Sequence, residues 1–265
     1  MQGATMGKIG VFDSGVGGLT VLHALHRRLP AEPTVYLGDT ARVPYGTKSP
    51  DTVIRYSRTN ARFLLQHDLR LLVVACNTAT AHALEALQAE LPVPVIGVVE
   101  PGARAAAALT RTRRIGVIGT AGTIASGAYQ RALAQAIPGA EVVARACPLL
   151  VPLAEEGWTE GEVPRLVVER YLGDLRGSID TLVLGCTHYP LLKEAIADVL
   201  GPQVALVDSA EATAAAVEDA LRGRPAAGGG TPTRRYFVTD VPARFPEIAA
   251  RFLGHVPEAV EQVDV

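Results

Sequence analysis

Positive charge is not in surplus in this chain of 265 residues: 25 Lys and Arg face 27 Asp and Glu, a net charge of −2. With no basic excess to displace counterions from phosphates, nucleic acid is excluded as a main partner. Cysteine is scarce. Cys76, Cys147 and Cys186 are odd in number and far apart, so free thiols in a reducing cytosol are expected instead of a disulfide framework. No apolar run approaches the roughly 20 residues of a membrane span. The first residues, with Lys8 and Asp13 around a Gly-rich turn, lack a signal peptide's apolar stretch. A cytoplasmic protein without a membrane partner is expected. Apolar side chains make up 48% of the chain, enough to build a core and offset the entropy of ordering, so disorder is excluded too.

Short β-branched runs alternate with amphipathic stretches, the pattern of βα units on a mainly parallel sheet. Strands are predicted at 8–12, 34–38, 70–75, 94–99, 114–119, 141–146, 180–185, 203–207 and 234–239. Helical spacing covers 52–66, 78–91, 102–110, 125–136, 161–176 and 209–222. Two segments recur in order. Ile-Gly-Val-Phe-Asp-Ser-Gly (9–15) resembles Ile-Gly-Val-Ile-Gly-Thr-Ala (115–121), and Val-Val-Ala-Cys-Asn-Thr (73–78) resembles Val-Leu-Gly-Cys-Thr-His (183–188). The near-constant offset reads as a duplicated half.

The expected fold is therefore α/β, with two similar, pseudo-symmetric domains, mainly parallel sheets and the active site in the cleft between them. One domain is expected to span 1–100 plus 208–265, and the other 101–207. Residues 224–233 read as a flexible Gly-rich surface loop. Each half would place a Cys just past the carboxyl end of a buried strand, the sheet edge where ligands bind.

Cys76 precedes Asn77-Thr78 and a helical run, where the helix dipole would favour a thiolate. Cys186 repeats that placement beside Thr187 and His188. Cys147 lacks polar neighbours and reads as packing. Zinc would normally show close ligand pairs, and Cys-x-His is all there is, so no metal is expected. Asp13-Ser14-Gly15-Val16-Gly17-Gly18 looks like a nucleotide loop, and Asp39 imitates a ribose-binding acid. Yet the dinucleotide fingerprint fails at Thr20, and Asp13 would repel a pyrophosphate. Asp13 and Ser14 suit an ammonium group, a proton relay or a helix cap. The loop 38–46 leaves Tyr45 and neighbouring amides free for a ligand. Glu155 and Glu156 are each open to pairing with His188 or to solvation. Trp158 carries no functional reading.

Two thiols facing each other suit stereoinversion, one removing a proton and the other returning one from behind. A pyridoxal electron sink would need a Schiff-base lysine. Only Lys8, Lys48 and Lys193 exist, none in such a setting, so no cofactor is expected.

On these residues the chain resembles the glutamate racemases. The resemblance rests on Val-Phe-Asp-Ser-Gly-Val-Gly-Gly-Leu-Thr-Val (11–21), Gly-Asp-Thr-Ala-Arg-Val-Pro-Tyr-Gly (38–46), Ala-Cys-Asn-Thr-Ala-Thr (75–80), Gly-Val-Val-Glu-Pro-Gly (97–102) and Gly-Cys-Thr-His-Tyr-Pro-Leu-Leu (185–192). It implies cofactor-independent interconversion of L- and D-glutamate, supplying D-glutamate to peptidoglycan in a bacterial cytoplasm. It implies Cys76 as the base toward the D-enantiomer and Cys186 toward the L-enantiomer, with Asp13 supporting Cys76, and Glu155 and His188 supporting Cys186. Asp13, Ser14, Tyr45, Gly46, Asn77, Thr78, Thr187 and His188 match substrate-contacting positions, and Thr123 is a further candidate for the substrate carboxylate. A homodimer is implied as well. Aspartate racemase, a single-thiol amidase and a non-catalytic amino-acid binder are the competing classes.

Overall fold

The computed structural model describes residues 7–223, 232–241 and 243–265; most of the expected 224–233 loop and of the 1–7 extension lies outside them. Two parallel sheets form the framework. The first contains β1 (Lys8–Asp13), β2 (Thr34–Gly38), β3 (Leu69–Val74), β4 (Val95–Gly97), β9 (Arg234–Val238) and β10 (Glu261–Gln262), in the order β10-β9-β2-β1-β3-β4. The second contains β5 (Arg114–Gly119), β6 (Glu141–Ala146), β7 (Thr181–Gly185) and β8 (Ala205–Asp208), in the order β6-β5-β7-β8. The order β2-β1-β3-β4 is repeated by β6-β5-β7-β8. The two halves therefore share one plan, with the chain reversing direction beside β1 and beside β5.

Burial on both faces explains the continuous apolar runs: Ile9, Val11 and Phe12 in β1, Leu71 to Val74 in β3 and Leu182 to Leu184 in β7 are all fully buried. Helices cover the faces: α1 (Leu19–Arg28), α2 (Pro50–Leu65), α3 (Asn77–Glu90), α4 (Val99–Leu109), α5 (Ala121–Ala125), α6 (Ala128–Ala136), α7 (Leu150–Glu156), α8 (Glu162–Leu172), α9 (Lys193–Leu200), α10 (Ser209–Leu221) and α11 (Phe245–Leu253). α2 starts cleanly because Ser49 accepts from the Thr52 amide and Pro50 occupies the first turn. α10 runs between the halves, packing on α1 and on α4, and the chain beyond it returns to the first sheet through β9, which pairs with β2. Among the described residues no helix is long and apolar enough to cross a membrane.

Some elements differ from the expected pattern. The run 125–136 is two helices, because Gly127 takes a left-handed conformation (φ +66°) between α5 and α6. The run 161–176 stops being α-helical at Leu172 and continues as a single tight turn over 173–175. α1, α7 and α9 are additional helices. α1 carries β-branched Thr20 and Val21 in its first turn, and α7 has Pro152 inside its own, so propensity obscures both. β10 is a two-residue edge strand, too short to give an alternation signal.

Candidate active site

The carboxyl ends of β1, β3, β5 and β7 face one another across a cavity of about 70 Å³. Ser14, Tyr45, Gly46, Cys76, Asn77 and Thr78 line it from the first half, and Thr120, Glu155, Cys186, Thr187 and His188 from the second. Wider surface grooves, such as the one along Arg234, Tyr236 and His255, carry no cysteine. Three glycines permit the close approach of the halves. A Cβ on Gly17 would fall 2.2 Å from Thr187 Oγ1, and one on Gly46 2.6 Å from Thr120 Cβ; one on Gly122 would meet the Gly46 carbonyl at 3.0 Å.

Cys76 is the N-cap of α3, and its Sγ accepts from the Ala79 amide at 3.4 Å and donates to Ser14 Oγ at 3.4 Å. The helix dipole does not win here. Burial, then the neighbouring Asp13 carboxylate, push the Cys76 thiol up to about 12. Asp13 closes β1 with no exposed surface, and its Oδ2 accepts from the Gly15 amide at 2.9 Å while Oδ1 is buried without a partner. Burial raises its own pKa, against the pull of His188 and the turn amides. The Gly-rich turn thus spends amides on Asp13 that a nucleotide phosphate would need.

Cys186 follows β7 but does not cap a helix. The chain passes into a short 3₁₀ turn (Tyr189–Leu192), so the dipole expected by analogy with Cys76 is lacking. Its neighbour is His188 instead, with Nδ1 3.8 Å from Cys186 Sγ and 3.3 Å from Thr187 Oγ1. His188 Nε2 pairs with Glu155 Oε1 at 2.9 Å, and Phe252 of α11 packs edge-on to the imidazole at 5.0 Å. Burial opposes charge on His188, but the hydrogen bonds to Cys186 and Glu155 outweigh it and raise the imidazole to about 10. Of the two glutamates left open by the sequence, Glu155 meets His188, and Glu156 pairs with Arg244 at 3.0 Å.

Two expected contacts change character. Tyr45 is 1% exposed, and its hydroxyl donates to buried Asp39 and accepts from Asn60 Nδ2 at 3.1 Å, so only its backbone and ring edge are left for the cavity. Asp39 also holds Arg42 Nε at 2.8 Å and Thr239 Oγ1 at 3.0 Å, which makes it the anchor of the 38–46 loop. Thr123 is buried behind the wall, bonded to Thr78 Oγ1 at 3.0 Å and Thr120 Oγ1 at 3.1 Å. Thr120, which the sequence reading missed, lines the cavity instead. The internal repeat pointed to it, since Thr120 stands 106 residues after Ser14 in matched segments. Cys147 is fully buried and Trp158 is exposed, neither of them at the cavity. Among the described residues no three His, Cys, Asp or Glu side chains converge as a metal site.

The fold and the site define an α/β protein with a pocket between two halves of one plan and one thiol on each wall. Residues 9–217 match the family model described as Asp/Glu/Hydantoin racemase. The chain is 60% identical over 262 residues to a glutamate racemase of Geobacter metallireducens, covering 97% of this chain and 96% of that protein. Its structure resembles glutamate racemase isoform RacE1 of Bacillus anthracis, with a TM-score of 0.93, 42% identity and 98% of each chain covered. It also resembles the Francisella tularensis glutamate racemase in complex with D-glutamate, with a TM-score of 0.92, 36% identity and 98% of each chain covered. This chain belongs to the Asp/Glu/hydantoin racemase family, and is an isomerase.

Proposed function

We propose that the protein interconverts L- and D-glutamate by moving the α-proton between Cys76 and Cys186, without a cofactor. The carrying observation is that these two cysteines line one cavity from opposite sheets. A thiolate on one wall takes the α-proton, so the C–H bond breaks, an S–H bond forms, and the electron pair passes to the α-carbon and its carboxylate. The opposing thiol then gives its proton to the other face of the carbon, leaving the charge on its own sulfur. The roles differ because the walls differ. Cys76 is held as a thiol by burial and by Asp13, while His188 brings positive charge beside Cys186. With L-glutamate, Cys186 is the base and Cys76 the acid; with D-glutamate the roles reverse.

Asp13 supports Cys76; Glu155 and His188 support Cys186. Ser14, Gly46, Asn77, Thr78, Thr187 and the backbone of Tyr45 hold the substrate, and Thr123 acts only by fixing Thr78 and Thr120. The domain limits we infer are 1–100 with 208–265, and 101–207; the return of β9 to the first sheet supports them. A homodimer in the cytoplasm, feeding D-glutamate to peptidoglycan, completes this reading. The relatives' names support the glutamate part of this reading.

Purified protein incubated with L-glutamate in D₂O, without pyridoxal phosphate, is expected to lose optical activity and gain deuterium at the α-carbon. No exchange by folded protein overturns the reading, and faster exchange of aspartate would shift it to the shorter acid.

A further inference from the structure

Tyr129 is absent from the residues that line the cavity, yet it links the two walls. It lies on α6 in the second half and is 1% exposed. Its ring occupies a slot made by glycines: a Cβ on Gly185 would fall 2.9 Å from Tyr129 Cε2, and one on Gly102 3.4 Å from Cε1. Gly185 directly precedes Cys186. From that slot the phenol donates to Asn77 Oδ1 at 2.7 Å, and Asn77 directly follows Cys76. One side chain thus spans from the strand end that carries one thiol to the helix start that carries the other.

The consequence falls on the amide. Asn77 is 3% exposed, its oxygen is taken by the phenol, and its Nδ2 is buried with no partner, at the wall of the cavity. A buried donor left unmade is costly, and its persistence marks a place for an acceptor. Because the phenol donates to the amide oxygen, the nitrogen is the group that the amide presents to the cavity. We propose that Tyr129 is a positioning residue that aims the Asn77 amide donor at a carboxylate oxygen of the substrate. Because the bond crosses from one half to the other, the donor is set only when the halves are together. The inference rests on the reading of the cavity as an amino-acid site.

The test is a double-mutant cycle. Tyr129→Phe keeps the ring in its slot and removes only the hydroxyl. It is expected to lower kcat/KM for either enantiomer about five- to tenfold, mainly through KM. In an Asn77→Ser background the same change should cost less than about twofold, because nothing remains to be aimed. If Asn77→Ser does not fold, Asn77→Asp serves, keeping the acceptor and removing the donor. A wild-type kcat/KM in Tyr129→Phe, or an equal loss in both backgrounds, overturns the proposal. A second readout needs no turnover: the Asn77 side-chain amide resonances, identified by their absence in Asn77→Ser, should shift in Tyr129→Phe. An unmoved pair also overturns it. Should the wild-type protein fail to exchange the α-proton of glutamate, the functional reading falls, while the resonance arm still decides the orientation.

Discussion

Glu155 Oε1 lies 2.9 Å from His188 Nε2, on the far side of the imidazole from Cys186. The carboxylate favours the charged ring, as does the bond to Cys186, and His188 is raised to about 10 against its burial. A raised histidine stabilises the fold fully below its unfolded value of about 6.5, and that contribution is lost as pH climbs toward the folded value. Glu155→Gln keeps a hydrogen-bonding partner and removes the charge. The alkaline limb of kcat/KM for L-glutamate should therefore move down by about one pH unit. An unmoved limb in the pH profile would show that Glu155 does not set the charge on His188.

Cys76→Ser and Cys186→Ser test the two walls separately. A serine hydroxyl in either place is too weak an acid and base at neutral pH, and each change should reduce racemisation by more than about a hundredfold. Polarimetry in both directions reads this. Full activity in either variant refutes the two-base assignment, and a loss confined to one cysteine favours single-thiol chemistry.

Gly17→Ala probes the approach of the halves. The new methyl would lie 2.2 Å from Thr187 Oγ1 and 2.5 Å from the His188 ring. Overpacking of this kind costs about 1–3 kcal/mol, and the softer response is for the halves to part. The expected result is a kcat/KM lowered about tenfold or more, with KM raised and the thermal midpoint down only a few degrees. A wild-type KM would mean that the cavity does not depend on this contact.

Asp180 offers a pH effect far from the cysteines. Its carboxylate joins the end of α4 to the start of β7, accepting from Thr110 Oγ1 at 2.7 Å, the Arg111 amide at 2.7 Å and Thr112 Oγ1 at 2.8 Å. Partial burial opposes the charge, but these donors hold the carboxyl well below the usual range. A depressed carboxylate stabilises above its unfolded pKa of about 4 and loses that contribution as pH falls further. Asp180→Asn should lower the denaturant midpoint at pH 7, with the gap to wild type closing as pH falls from about 4 to 2. A gap independent of pH would contradict this account.

Buried parallel strands were legible because both of their faces are apolar, which leaves a short β-branched run, although Val98 and Val99, read as the end of a strand over 94–99, cap and begin α4. The short helices were not: α7 and α9 owe their existence to packing on neighbours, and seven or eight residues carry too little periodicity to be seen alone. The cysteines were legible for a related reason. Each follows a buried strand and is followed by polar residues, a placement that repeats 110 positions later.

Sequence by itself determined the duplicated plan, the two thiols at matched strand ends and the polar residues beside them, because strand patterning and local motifs are properties of contiguous residues. Only the tertiary structure decided what each wall is like. It turned the Tyr45 hydroxyl away toward Asp39, put Thr120 in front of Thr123, chose Glu155 over Glu156 for His188, and brought Tyr129 across to Asn77. Those choices rest on contacts between residues from 6 to 52 positions apart and on the burial that sets their charges. The Tyr45–Asp39 and Glu155–His188 pairs form when each half folds, and the Tyr129–Asn77 pair only when the two halves meet.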